Sequence, residues 1–202
     1  MRVKLFNIDI SCTFPAVALM TLVILLDTRH TAELCILAAI IHEGGHLLAM
    51  LFCKRMPDKI KISLFSIDIN DPNRGKGRFF EELLIIYAGI AANGLASLAA
   101  FSVYRAVGDT IFLNIAAANA VIGAFNLLPA ATLDGGQGLF LIIMRRLNYR
   151  SAEIIINILT AVLLIPFTAA GILLLFNCEK NFSLLIISVY LILALAFRKE
   201  YF

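Results

Sequence analysis

Residues 38–49 read Ala-Ala-Ile-Ile-His-Glu-Gly-Gly-His-Leu-Leu-Ala, and three ionisable side chains, His42, Glu43 and His46, interrupt this otherwise apolar stretch. The apolar residues continue on both sides, from Ala32 to Phe52, over a length typical of a membrane-spanning helix. Ionisable groups at membrane depth are costly unless they are paired or hydrated, so they mark a functional site by default. The stretch therefore predicts a membrane helix that carries a reactive centre.

The order His-Glu-x-x-His at residues 42–46 is a pattern that binds zinc in metalloproteases. A helix places His42 and His46 on one face, close enough to bind one metal ion. Glu43 falls on the neighbouring face, where it would act as general base for a metal-bound water. A hydrogen-bonded polar patch is the alternative, and we favour a metal site because His and Glu are rare in membrane helices. Gly44 and Gly45 weaken a helix, and we expect them to leave room for a neighbouring helix or an extended substrate.

A catalytic zinc ion usually has three protein ligands and one open position, so a third ligand is expected elsewhere. Residues 126–136 read Asn-Leu-Leu-Pro-Ala-Ala-Thr-Leu-Asp-Gly-Gly and supply an acid, Asp134, where Pro129 and the glycine pair should break a helix. Irregular backbone at membrane depth is tolerated only where it lines protein or a wet cavity. The sequence therefore predicts a metal site formed by His42, His46 and Asp134.

The rest of the chain is as apolar as this centre. Of its 202 residues 61% are hydrophobic and 15% charged, with a mean hydropathy of +0.91, against about 45–50% and 25% in soluble domains. This composition excludes a soluble enzyme, a disordered protein and a nucleic-acid binder, and it makes the lipid bilayer the expected surroundings. The four cysteines form no Cys-x-x-Cys motif, which argues against a zinc ribbon.

Six apolar stretches are predicted to span the membrane as helices, because lipid cannot satisfy an open strand edge or a loop. Their limits are Ser11–Leu26, Ala32–Phe52, Phe80–Tyr104, Thr110–Leu128, Ala152–Phe176 and Phe182–Phe197. Residues 59–70 instead alternate β-branched and polar side chains, which predicts a short hairpin or a pair of edge strands. The expected fold class is an all-α polytopic membrane protein with about six transmembrane helices and a small β-hairpin on the cytoplasmic side.

The distribution of basic residues predicts the orientation. If six spans alternate, fourteen of the 17 lysine and arginine residues lie on one side of the membrane and three on the other. The basic excess marks the cytoplasmic side, so both termini and the hairpin are expected there. The same topology places His42, His46 and Asp134 in the cytoplasmic half of the membrane.

The motifs at 42–46 and 126–136 together resemble those of the site-2 protease family (peptidase family M50) of intramembrane zinc metalloproteases. Residues 88–93, Ala-Gly-Ile-Ala-Ala-Asn, are similar to the Gly-Pro-x-x-Asn element of that family, with Ile90 where proline is usual. The similarity extends over about residues 1–200. The six-span plan with both termini in the cytoplasm is most like the sporulation branch, which processes a pro-sigma factor.

The resemblance implies that His42, His46 and Asp134 bind one Zn2+ per chain and that Glu43 activates the water that attacks a peptide bond. The substrate would be a membrane-anchored protein cut in or near its transmembrane segment, such as a pro-sigma or anti-sigma factor. Asn126 and Asn93 would bind the substrate strand or the oxyanion, with interhelical hydrogen bonding as the alternative.

The resemblance also implies a bacterial cell membrane protein and a single domain over residues 1–202. The family's PDZ and CBS domains are not expected within it, so regulation by such modules is absent or comes from a separate membrane protein. The alternating segment 59–70 offers an edge to which an unwound substrate strand could pair.

Two other classes of function stay open. A membrane metal or proton transporter could use the same His/Glu/Asp cluster, although it should carry polar groups along both halves of its path, and the external halves of the predicted helices are nearly bare. A catalytically inactive scaffold would bind membrane partners without needing Glu43. Replacing Glu43 by glutamine separates these classes, because only the protease needs that carboxylate to cut a peptide.

Overall fold

The computed structural model of the protein describes residues 2–5, 8–14, 17–18, 21, 24–25, 27, 31–62, 67–72, 75 and 77–177. Over these residues the chain is mostly helical, as predicted. It divides into two compact units, Met1–Asn126 and Leu127–Phe202. The predicted sixth span, Phe182–Phe197, lies outside the described residues, and so do several residues of the first.

A four-stranded sheet belongs to the first unit. Its strands are β1 (Arg2–Leu5), β2 (Ile8–Cys12), β3 (Lys59–Ile62) and β4 (Ile67–Asn70), in the order β1-β2-β3-β4. The pairs β1/β2 and β3/β4 are antiparallel, whereas β2 and β3 run parallel. The alternation in residues 59–70 thus forms the predicted strand pair, but this pair is half of a larger sheet. The side of the membrane on which the sheet lies stays a prediction.

The parallel pairing of β2 with β3 corrects two expectations. Ser11 and Cys12 were expected to open a membrane helix, and this is wrong, because they pair with Lys61 and Ile62 in the sheet. Among the described strands, β3 has a neighbour on each side, so an incoming substrate strand could pair only with β4 or β1. A parallel partner fifty residues away leaves no local pattern, which is why the sequence did not reveal it.

Three long helices of the first unit confirm the second, third and fourth predicted helices. Helix α1 covers Thr31–Phe52, α2 covers Phe79–Val107 and α3 covers Thr110–Asn126. The first two are long and apolar enough to cross a membrane, and α3 is a shorter apolar helix of 17 residues. Helix α2 is capped by Gly108, whose φ of 81° is the left-handed conformation that favours glycine.

A buried ion-pair cluster ties α1 to the start of α2 and to the segment after β4. The Arg55 side chain donates to Glu82 Oε1 at 2.7 Å and forms an ion pair with Asp71. The Gly75 amide donates to the same Glu82 oxygen. Burial by itself lowers the pKa of Arg55, but its hydrogen bonds with Glu82 and Asp71 and their charges outweigh that effect, so the pKa lies above its ordinary value. Arg55 therefore stays charged and holds the ends of three elements together.

The second unit contains an irregular segment and two helices, α4 (Asp134–Met144) and α5 (Tyr149–Asn177). Residues 149–166 of α5 are apolar enough to span a membrane, within the predicted fifth helix and slightly before it. A small core of Ala131, Phe140, Ala152 and Ile156 packs α4, α5 and the irregular segment together. The helix break lies where Pro129 predicts it, but the glycine pair was expected to belong to the break and instead forms the first turn of α4.

Candidate metal centre

Helix α1 places the two histidine rings side by side. His42 and His46 are one turn apart on the same face, with ring centroids 4.8 Å apart and ring planes at 83°. Their Nε2 atoms are 3.2 Å apart, and only 5% of His42 is exposed. Two nitrogens bound at about 2.0–2.1 Å to one tetrahedral zinc ion lie about 3.3 Å apart. The spacing of the two Nε2 atoms therefore fits a single shared zinc ion.

The other ring nitrogen of each histidine has a hydrogen-bond partner on α2. His46 Nδ1 lies 2.7 Å from the backbone oxygen of Ile85, and His42 Nδ1 lies 2.6 Å from Asn93 Oδ1. A backbone oxygen only accepts, so His46 Nδ1 is the donor, and in the neutral ring Nε2 then carries the lone pair. Hydrogen bonds of this kind orient metal-binding imidazoles in proteins. Two rings held by one helix and turned by the next are thus prepared for a cation.

Asn93 is fully buried and joins three helices. Its Nδ2 donates to the backbone oxygen of Ala38 on α1 and to Asn119 Oδ1 on α3, each at 2.9 Å. Asn119 Nδ2 in turn donates to the backbone oxygen of Ile115 at 2.9 Å. These contacts are interhelical hydrogen bonds, the alternative weighed for Asn93. Its role in substrate binding stays a prediction.

Glycines bring the helices close to the histidines. A Cβ atom on Gly89 would overlap His46 Nε2 and would lie 2.8 Å from His42 Cε1. One on Gly45 would lie 2.6 Å from the backbone oxygen of Ala88, whereas one on Gly44 would meet nothing within 4 Å. The room that Gly45 leaves is thus filled by the neighbouring helix α2, one of the two expected uses. Gly44 leaves its space open.

The second unit positions Asp134 by means of its backbone. Asp134 is the first residue of α4, directly after Leu133 in extended conformation. Thr160 Oγ1 accepts the Ala131 amide at 2.9 Å and donates to the backbone oxygen of Ile156 at 2.7 Å. A Cβ atom on Gly136 would overlap the backbone oxygen of Ala130, and one on Gly135 would overlap that of Leu127. The turn before Asp134 therefore folds onto the first turn of α4 and leaves room there only for glycine.

Two further predicted site residues lie on α1 and α3. Glu43 follows His42 on α1 and is partly buried. Asn126 is the last residue of α3, and its Nδ2 donates to the backbone oxygen of Ile122 in the same helix at 3.1 Å. That bond is local rather than interhelical, and the substrate-binding role of Asn126 stays a prediction.

Two residues were missed by reasoning from sequence. Asn119 received no role, although an asparagine inside an apolar helix is an unusual residue and could have been noticed. Gly89 was recognised only as part of the motif at residues 88–93, and no property of its neighbours in sequence indicates that it faces two imidazoles. Both residues contact partners that are distant along the chain.

No family model matches this sequence, and no curated protein matches it. The fold is similar to that of a solved structure, the site-2 protease from Methanocaldococcus jannaschii, with a TM-score of 0.69. The similarity covers 95% of this chain and 91% of that one, at 19% sequence identity. The chain therefore has the fold of a site-2 protease along nearly its whole length, and its apolar helices are those of an integral membrane protein.

Proposed function

We propose that this protein is an intramembrane zinc metalloprotease that hydrolyses a peptide bond in or near the transmembrane segment of a membrane-anchored protein. The observation that carries the proposal is the pair of Nε2 atoms, 3.2 Å apart on an apolar helix of membrane-spanning length. The similarity in fold to a site-2 protease supports the same conclusion.

The proposed zinc ligands are His42, His46 and Asp134. Each offers one atom that can bind a metal ion, a ring nitrogen in the two histidines and a carboxylate oxygen in Asp134. Three such ligands leave one coordination position for water, as in catalytic rather than structural zinc sites. A zinc ion bound there supplies a water of lowered pKa and a Lewis acid for the scissile carbonyl.

Glu43 is the proposed general base. It directly follows a proposed histidine ligand on α1 and is partly buried, which is the position expected of a base for a water at this centre. It would take a proton from that water as the oxygen attacks the peptide carbon, and then pass the proton to the nitrogen of the leaving amine. A helical substrate must first unwind, because its carbonyl groups are otherwise engaged in backbone hydrogen bonds.

The first experiment combines metal content with cleavage by the detergent-purified full chain. The probe is a set of single-span model peptides with a helix-breaking Asn-Pro pair at mid-span, and mass spectrometry detects their cleavage. We expect about one zinc per chain in the wild type, loss of zinc in His42→Ala and Asp134→Ala, and zinc without cleavage in Glu43→Gln. Glu33→Gln is the matched control, since Glu33 is an exposed glutamate at the start of the same helix.

Cleavage by Glu43→Gln at the wild-type rate would overturn the proposal, and so would a wild type that binds no zinc. A transporter is separated by the same proteins in liposomes, because it would move zinc or protons across the bilayer without cutting any peptide. Retention of zinc in Asp134→Ala would mean that another residue is the third ligand, while His42 and His46 would remain the proposed pair.

The proposal extends to regulated proteolysis in a bacterial cell membrane, with both termini in the cytoplasm and a pro-sigma or anti-sigma factor as substrate. The asymmetry of basic residues supports the orientation, and the motif resemblance supports the substrate class. Labelling of single cysteines introduced near each terminus, in intact cells and in lysed cells, tests the orientation.

A further inference from the structure

We propose that Asn119, acting through Asn93, is a positioning residue that holds the His42 ring with its proton on Nδ1 and its Nε2 lone pair directed to the metal. This inference rests on the proposed function, because it assigns a role toward the same zinc ion. It concerns a relay of hydrogen bonds that runs from the Ile115 backbone oxygen on α3 through Asn119 and Asn93 to the His42 ring on α1.

Two backbone oxygens fix the direction of every hydrogen bond in this relay. The oxygens of Ile115 and Ala38 are backbone carbonyls, which can only accept. Asn119 therefore turns its Nδ2 toward Ile115, and its Oδ1 is left to accept from Asn93. Both N–H groups of Asn93 are then used, by Ala38 and by Asn119, so its Oδ1 faces His42.

The opposite orientation of the Asn93 amide is disfavoured. If Asn93 were flipped, its oxygen would face the carbonyl oxygen of Ala38 and the Oδ1 of Asn119, in a place that excludes water. A buried acceptor without a donor costs about 1–3 kcal/mol. The relay therefore presents Asn93 Oδ1 as an acceptor to His42 Nδ1, which must donate, and the lone pair of the neutral ring is then on His42 Nε2.

The histidine pair gives a second, independent observation. His46 is fixed in the same tautomer by the backbone oxygen of Ile85, without any contribution from Asn93. The two Nε2 atoms lie at hydrogen-bond distance, 3.2 Å apart, and in these tautomers a cation held by both lone pairs would take the place of a shared proton. The relay from Asn119 thus gives His42 the same tautomer as His46, and the two Nε2 atoms can then bind one ion together.

Asn119 is needed in addition to Asn93 because a single acceptor does not hold an amide. It is 1% exposed, so bulk water does not reach Asn93 when a side chain of similar volume, such as leucine, stands in its place. Without Asn119, one N–H of Asn93 loses its partner, and the amide can rotate about its remaining bond to Ala38. The His42 ring is then free to exchange tautomers. Substituting a residue that orients a metal ligand through hydrogen bonds typically lowers metal affinity by about 10- to 100-fold.

The test uses the full-length protein in detergent and two readouts. Competition with a chelator measures zinc affinity, and nitrogen-15 chemical shifts of the histidine rings in metal-free protein report which ring nitrogen carries the proton. The chain has three histidines, so substituting the third, His30→Gln, leaves only the signals of His42 and His46. Ser97→Ala is the matched control, because it also removes a hydrogen bond between α2 and α3, to the Ala116 oxygen at 2.8 Å, without touching the relay.

We expect Asn119→Leu to weaken zinc binding by about 10-fold and to give His42 a mixture of tautomers, while His46 is unchanged. Asn93→Leu should weaken zinc binding by up to about 100-fold. If Asn119→Leu does not fold, Asn119→Ala provides the same test without added bulk.

The relay is refuted if Asn119→Leu or Asn119→Ala matches Ser97→Ala in zinc affinity and in the His42 tautomer. Failure of the proposed function is a separate outcome. A wild type that binds no zinc would remove the function, yet the ring-nitrogen shifts of the metal-free protein would still decide whether Asn119 controls His42.

Discussion

The histidine ligands and the aspartate ligand of the proposed centre are positioned by different means. His42 and His46 are turned by hydrogen bonds from α2, and His42 through a chain that reaches α3. The segment that presents Asp134 is held by backbone packing onto Gly135 and Gly136 and by a hydrogen bond that the Ala131 amide donates to Thr160 Oγ1.

The difference follows from the chemistry of the two ligand types. An imidazole has two different nitrogens, so a partner must select which one carries the proton, and that partner comes from another helix. A carboxylate has two equivalent oxygens and needs only to be placed at the start of a helix by the turn before it. The aspartate region should therefore be sensitive to added volume, and the histidine region to lost hydrogen bonds.

Gly136→Ala should have the largest effect in the aspartate region. Its Cβ would overlap the backbone oxygen of Ala130, which cannot move without opening the turn. We expect a loss of about 3 kcal/mol or more in the free energy of unfolding, and loss of zinc as well. Denaturant unfolding followed by circular dichroism measures the first. Gly94→Ala is the control, since a Cβ there meets nothing within 4 Å, and equal loss in both variants would contradict this account.

Gly45→Ala compares close packing in the histidine region. The new Cβ would lie 2.6 Å from the backbone oxygen of Ala88 and 2.7 Å from the Ala92 Cβ, so α1 and α2 must separate. We expect a loss of about 1–3 kcal/mol and weaker zinc binding, since α2 carries the partners of both histidines. Gly44→Ala should be neutral or slightly stabilising, because its space is empty. Similar melting temperatures for the two variants would show that the close contact between α1 and α2 at Gly45 does not contribute to stability.

Thr160→Val should have the smallest effect, and it isolates the side-chain hydrogen bond to the Ala131 amide in the aspartate region. Valine keeps the shape of threonine but leaves the Ala131 amide without its acceptor, at a cost of about 1–2 kcal/mol. Thr168→Val is a matched control on the same helix, because Thr168 Oγ1 likewise donates four residues back, to the backbone oxygen of Leu164. The difference between the two unfolding free energies measures the Ala131 bond, and no difference would assign the turn to backbone packing alone.

Much of the fold follows from local sequence. Long apolar runs predict helices α1, α2, α3 and α5, because the hydrophobic pattern of each is contained within its own residues. The alternation in residues 59–70 predicts β3 and β4 for the same reason. Helix α4 was not predicted, because its three glycines, Gly135, Gly136 and Gly138, oppose a helix by their propensity, and only the folded structure shows that the turn packs against Gly135 and Gly136.

The candidate site divides in the same way. By itself the sequence determined that His42 and His46 share a helix face, that Glu43 adjoins them and that an acid follows the Pro129 break, because each depends on spacing within one segment. Only the tertiary structure decided that β2 pairs with β3, that Gly89 faces the imidazoles and that Asn119 reaches His42 through Asn93. These contacts join residues far apart in the chain, and hydrogen-bond direction and close packing depend on where whole helices lie.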